Sequence, residues 1–287
     1  MGGYRGKMFY LILAIASSAM VSICMRVSEK YVRNNMVMFT TNYAVCLVIS
    51  LFYMGDIHLL VFESGFGWAI TLGAISGFLY LANFALLQNS VHFNGVILSS
   101  AAMKLGGVLI PVVAAVMLFH EQMSVVQLVG VVIAIVATVL MNVKKDEVFK
   151  EGKKMWLLVL LLCSGLTDTM ANIYNKTGVS AFRNHYLFYT FLAAMLTSFI
   201  MIFIKSQTVR TADILCGLMI GIPNYYSARF LLLALGSVPA VIAYPVFGVG
   251  TIIVISTVGV LVFRERLDGK KKCALLLIAA ALVLLNI

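Results

Sequence analysis

Ten long, almost uncharged stretches recur along the chain, at residues 8–25, 36–54, 68–87, 95–118, 124–142, 155–174, 185–204, 212–235, 238–262 and 273–286. Most approach the roughly 20 residues that a helix needs to cross a hydrocarbon core about 30 Å thick. The connections are brief and leave no room for a separate soluble domain. Charged residues make up 11% of the 287 positions and apolar residues 62%. Soluble domains run near 25% charged, so a soluble fold is a poor fit. The pattern predicts an all-α integral membrane protein with ten transmembrane helices. The first stretch follows Arg5 and Lys7 as a signal peptide would. It is longer than a signal's apolar core and has a counterpart later in the chain, so it is read as a helix.

The formal charge of +10 does not point to nucleic acid, because the basic residues flank the apolar stretches and so fit orientation in a bilayer. Cys24, Cys46, Cys163, Cys216 and Cys273 are scattered without C-x-x-C spacing, which predicts packing roles and neither disulfides nor a metal site. His58, His92, His120 and His185 lie at stretch ends or in loops, without i, i+4 ligand spacing. They are expected at the surface, and no metal or cofactor is expected.

The chain also repeats itself. Residues 73–121 align with 217–265 at a constant offset of 144: "GAISG" on "GLMIG", Gly106 on Gly250, and "FHE" ending at Glu121 on "FRE" ending at Glu265. Earlier, "RNNMVMFTT" at Arg33 resembles "RNHYLFYTF" at Arg183 at an offset of 150. Residues 1–143 and 155–287 are thus two five-helix repeats joined by a basic loop, 144–154. Five is odd, so the second repeat enters the membrane from the opposite side. Such inverted repeats serve transporters that alternate access to a midplane site, here a central cavity. The paired glycines let helix backbones approach closely and need no substrate role.

These segments resemble a known family. "QNSVHFNGVILSSAAMKLGGVLIPVVAAVMLFHEQMSVVQLVGVVIAIVATVLMN" and "ALGSVPAVIAYPVFGVGTIIVISTVGVLVFRERLDGKKKCALLLIAAALVLLN" are similar to the two halves of a ten-helix drug/metabolite transporter of the EamA type. Gly95 and Pro239 open the fourth and ninth stretches, Pro111 and Pro245 lie inside them, and Glu121 and Glu265 follow them. The resemblance spans nearly the whole chain and implies a cavity lined by helices 1, 3, 4, 6, 8 and 9. Loop charge favours both termini outside the cytoplasm, the reverse of many members of the family. Arg26, Lys30, Arg33 and the basic clusters near residues 150 and 270 all fall on one side.

Lys104, Asp168 and Arg229 sit inside apolar stretches, where a charge costs about 2.5–3.5 kcal/mol and normally faces a bundle interior or water. Lys104 is too deep for its stem to reach the interface, and its helical face holds Ser100, Gly107 and Pro111. It either attracts an anionic or carbonyl-rich solute or ties neighbouring helices together. Asp168 and Arg229 share one leaflet and could pair, as a gate or as a fixed tie. Tyr80, Asn83, Asn172, Tyr225, Tyr226 and Tyr244 complete the candidate cavity lining, with interhelical packing as the alternative for the amides. Tyr186 and Tyr189 fit an interfacial aromatic belt.

The expected function is secondary transport of a small polar or anionic metabolite, by a monomer or homodimer in the cell membrane. Partners are the solute and the lipid bilayer. A G-x-x-x-x-G-K-[ST] phosphate loop is lacking. A flippase for a lipid-linked anion is the alternative. A membrane-embedded enzyme or a scaffold is the alternative of another class, but no nucleophile, base and carboxylate converge at one depth, so an enzyme is not expected.

Overall fold

The computed structural model describes residues 2–55, 63–94, 96–142, 154–204, 208–262, 264 and 269–285. Among these it is all-helical, with α1 (Gly2–Ser28), α2 (Asn35–Met54), α3 (Phe66–Asn94), α4 (Val96–Phe119), α5 (Val125–Asn142), α6 (Lys154–Thr177), α7 (Arg183–Ile204), α8 (Thr211–Leu235), α9 (Ala240–Leu261), α10 (Gly269–Leu285) and a short 3₁₀ turn, Ser180–Phe182. Each helix overlies one uncharged stretch of the sequence. Eight are long and apolar enough to cross a membrane; Val125–Leu140 in α5 and Lys272–Leu285 in α10 are shorter apolar segments. Gly95, His58, Glu265 and the linker up to residue 153 lie outside the described residues.

The chain forms two compact units that do not coincide with its sequence halves. One unit contains Met1–Leu11, Ala82–Asn172 and Ala234–Ile287; the other contains Ile12–Leu81 and Ile173–Leu233. Sequence repetition and compactness differ here because helices from both halves pack together within each unit. In the first unit α4 packs on α9 and α5 on α10, and in the second α2 packs on α7.

The second unit shows how the close packing is achieved. A Cβ at Gly73 of α3 would lie 2.9 Å from the Tyr186 carbonyl, 2.8 Å from Tyr189 Cβ and 3.2 Å from Thr190 N, all on α7. A Cβ at Gly217 of α8 would lie 2.5 Å from the Met38 carbonyl, 2.7 Å from Thr41 Cβ and 3.2 Å from Asn42 N, all on α2. The same three atom types are met in the same order. The pairs Met38 and Tyr186, Thr41 and Tyr189, and Asn42 and Thr190 are each 148 positions apart. The register relating α2 to α7 is therefore 148, correcting the 150 read from the sequence. The arginine-asparagine pairs that set the earlier figure are not equivalent in place: Arg33 and Asn34 precede α2, whereas Arg183 and Asn184 are the first two residues of α7. Gly77 and Gly221 repeat the pattern one turn on, against Thr190 and Ala193 and against Asn42 and Val45.

Helix ends carry the same correspondence. His120 and Arg264, 144 positions apart, are the two non-glycine residues with positive φ among the described residues, 52° and 53°. The turn at His120 brings the Glu121 N–H back to the Ala115 carbonyl at 3.0 Å. The Glu121 carboxylate then accepts from Val241 N in the first turn of α9, at 3.1 Å, where exposed N–H groups and the helix dipole favour an anion. In the second unit the Asn34 side chain caps α2 by accepting from Met36 N and Val37 N. Buried Asp213 holds that corner by accepting from Arg33 N and Asn34 N at 2.9 and 3.3 Å.

Two sequence expectations are corrected. Tyr186 is buried rather than part of an interfacial belt: it stacks on Tyr174 with centroids 4.3 Å apart, and its hydroxyl bonds Ser76 Oγ at 3.0 Å. Close packing of α7 on α3 draws that ring inward. His185 is half-buried against the ring edges of Phe66 and Phe182 rather than on the surface. His92 and His120 are exposed, and the five cysteines are free, with Cys46, Cys163 and Cys216 buried.

Candidate functional site

The ten residues singled out from the sequence fall into two groups, one in each unit. Lys104, Ser100, Asn83, Asp168, Asn172 and Tyr244 belong to the first unit; Arg229, Tyr225, Tyr226 and Tyr80 belong to the second.

In the first unit, α4 and α6 touch along a seam of small residues. Gly106 meets the Leu161 main chain, Gly165 meets Ile110, and Gly107 lies against Asp168 Oδ2. Ser164 Oγ donates to the Met103 carbonyl at 2.9 Å. Any side chain at these glycines would hold the helices apart, so the seam is what delivers the Asp168 carboxylate to α4. Tyr244 of α9, itself buried, donates its hydroxyl to the Asp168 main-chain carbonyl. That bond ties the third helix to the same turn and leaves the carboxylate uncommitted. Pro111 has no N–H to return to the Gly107 carbonyl, which supplies a further acceptor at this level.

Lys104 lies one turn before Gly107 on α4. Its side chain is exposed, and among the described residues it makes neither a hydrogen bond nor an ion pair. The Asp168 side chain is half-buried and also makes none. Asn172, one turn beyond Asp168 on the same face of α6, is wholly buried, and among the described residues neither atom of its amide has a partner. Asn83 Oδ1 is likewise unpartnered. Polar atoms buried without partners are rare in folded chains and call for an explanation. Asn172→Leu keeps the volume and removes two such atoms, each costing about 1–3 kcal/mol. The substitution is expected to raise the thermal midpoint of the purified protein; a fall would mark the amide as a helix tie.

In the second unit Arg229 is fully engaged. Its Nη1 donates to Asn184 Oδ1 at 2.7 Å and to the Tyr225 hydroxyl at 3.3 Å. Its guanidinium carbon lies 3.8 Å from the centroid of the Tyr53 ring. Asn184 Nδ2 in turn donates to the Tyr53 carbonyl at 2.8 Å, and the Tyr53 and Tyr226 hydroxyls are 3.4 Å apart. This node joins the end of α2, the start of α7 and the middle of α8. Tyr80 sits with its ring edge toward Tyr43, centroids 6.4 Å apart. The sequence pointed to Arg229 but not to Tyr53 or Asn184. Neither carries a local signal: Tyr53 lies near the end of one apolar helix and Asn184 in the first turn of another. A partly buried polar contact between Asn224 Nδ2 and Asn42 Oδ1, at 3.2 Å, carries no local signal either.

Together these helices, eight of them long and apolar enough to cross a membrane, describe a multi-pass integral membrane protein. Residues 184–278 match the family model of the Small Multidrug Resistance protein. The chain is also 25% identical over 272 residues to an uncharacterized protein of Haemophilus influenzae, covering 91% of each. A solved structure described as "Crystal structure of protein" is similar with a TM-score of 0.79 and 12% identity, covering 98% of this chain and 96% of that one. At that identity the likeness speaks for the fold.

Proposed function

We propose that the chain is a secondary transporter that moves a small polar or anionic metabolite by alternating access. In this proposal ten transmembrane helices form two inverted five-helix repeats, 1–143 and 155–287, of the drug/metabolite transporter EamA type. The observation that carries the function is Lys104, a cation at mid-helix, a costly position, with no protein counter-ion among the described residues. A structural lysine would be expected to lie paired in the packed seam beside it. A solute-binding lysine must keep its charge accessible, and Lys104 is exposed.

Support for the inverted repeat comes from the reciprocal glycine contacts of α3 on α7 and α8 on α2. Reciprocity of that kind follows when two copies of one unit are related by a two-fold axis, and transporters of this architecture rock one part against another about such an axis. The α5 and α10 helices are then the peripheral spans, tilted little because they are short. The solute and the bilayer are its partners, and no catalytic step is assigned.

The test is uptake of labelled anionic and polar metabolites by proteoliposomes containing the purified chain. Lys104→Ala is expected to lower the rate for the true substrate at least tenfold, equivalent to about 1.4 kcal/mol. Equal rates for the substitution and the parent across every transported solute would end the proposal.

A further inference from the structure

We infer that Lys104 and Asp168 receive opposite ends of a zwitterionic solute, one that carries an ammonium and a carboxylate group a few bonds apart. This rests on the transporter reading and narrows its substrate class. Gly107 touches Asp168 Oδ2, and Lys104 is three residues away on α4, a spacing that places Cβ positions about 5–6 Å apart on one face. A positive and a negative side chain therefore project from two contacting helices about one turn apart. Neither is used by the protein among the described residues.

Charge decides between solute classes. A simple anion drawn to Lys104 would place its own charge beside the Asp168 carboxylate, in surroundings where like charges repel far more strongly than in water. A simple cation would meet the reverse problem at Lys104. A zwitterion satisfies both groups, its carboxylate on the lysine and its ammonium on the aspartate. The ammonium has further acceptors to hand. The Gly107 carbonyl lacks its helical donor because of Pro111, and Asn172 Oδ1, one turn beyond Asp168, is buried and without a partner among the described residues. The buried Asn172 amide is an independent observation that points to a polar ligand at this level. An ammonium, with three donors, is the group best matched to a carboxylate, a carbonyl and an amide oxygen together.

The test measures the thermal midpoint of the purified full chain with three pools in excess: the standard amino acids whose side chains carry no charge, their N-acetyl derivatives, and their methyl esters. These are zwitterions, anions and cations with the same side chains. The amino acid pool is expected to raise the midpoint by several degrees and both derivative pools by much less. Asp168→Asn should weaken the apparent affinity for the zwitterion at least tenfold and erase its advantage over the N-acetyl pool. Lys104→Gln should erase its advantage over the esters. An amino acid pool that stabilises no better than either derivative overturns the inference, and that comparison needs no variant to fold. Stabilisation by the N-acetyl pool alone, lost in Lys104→Gln and kept in Asp168→Asn, would sink the zwitterion and leave transport of an anion standing. Stabilisation by amino acids with no uptake into proteoliposomes would sink transport and leave this site standing.

Discussion

Gly77→Leu is expected to abolish recovery of folded protein. The Cβ alone would press on the Thr190 carbonyl and come within 2.7 Å of Ala193 Cβ and 2.8 Å of Ala194 N. Two of those three atoms are main chain, so no rotamer change relieves them; α3 and α7 would have to separate. Overpacking a core by a few methylenes costs about 1–3 kcal/mol where side chains can adjust, and here they cannot, so the loss should exceed about 3 kcal/mol. Close small-residue contacts of this kind are a main source of helix association in lipid, which supplies no hydrophobic force of its own between helices. Gly221→Leu should be as damaging, since it meets Asn42 and Val45 in the same manner. Gly67→Leu, in the same helix as Gly77 but with nothing within 4 Å, should change little. Monodisperse yield and thermal midpoint in detergent decide the matter; a Gly77→Leu chain that melts within a degree of the parent would refute it.

Arg229→Ala is the second large effect. The side chain bonds Asn184 and Tyr225 and covers the face of Tyr53. Hydrogen bonds to a charged group contribute about 1.5–3 kcal/mol, and a cation over an aromatic face adds about 0.5–1, more when dry. The expected loss is about 2–4 kcal/mol. Arg229→Lys should recover less than half, because an ammonium cannot span two acceptors in one plane and lie flat on a ring as a guanidinium does. A double-mutant cycle with Asn184→Leu should give a coupling of about 1–2 kcal/mol. Full rescue by lysine would mean that charge alone matters at this position. Within the second unit Arg229 has acceptors of its own.

Much of this was legible in one dimension. The positions of all ten helices, the membrane class, the internal repeat and its glycine pairs follow from the spacing of charge and of small residues, because lipid penalises charge wherever it falls and close backbone approach needs glycine. Lys104, Asp168 and Arg229 stood out for the same reason. Other features were not legible. Asp168 could be assigned a depth from its place in a helix but not a neighbour, since the Gly107 contact joins residues 61 positions apart. Tyr53 and Asn184, which hold Arg229, have ordinary local surroundings. The register of α2 on α7 differs by two residues from the sequence match because the similar arginine-asparagine letters precede α2 but open α7.

The sequence alone determined where helices form and that the chain lives in a bilayer, since both depend on the local cost of exposing charge or backbone to lipid. Only the tertiary structure decided which polar groups meet: that Arg229 is spent on Asn184 and Tyr53, and that Asp168 is brought against the turn of Lys104. Partner choice depends on how helices distant in sequence cross, and that is set by the summed packing of many small contacts that no single segment encodes.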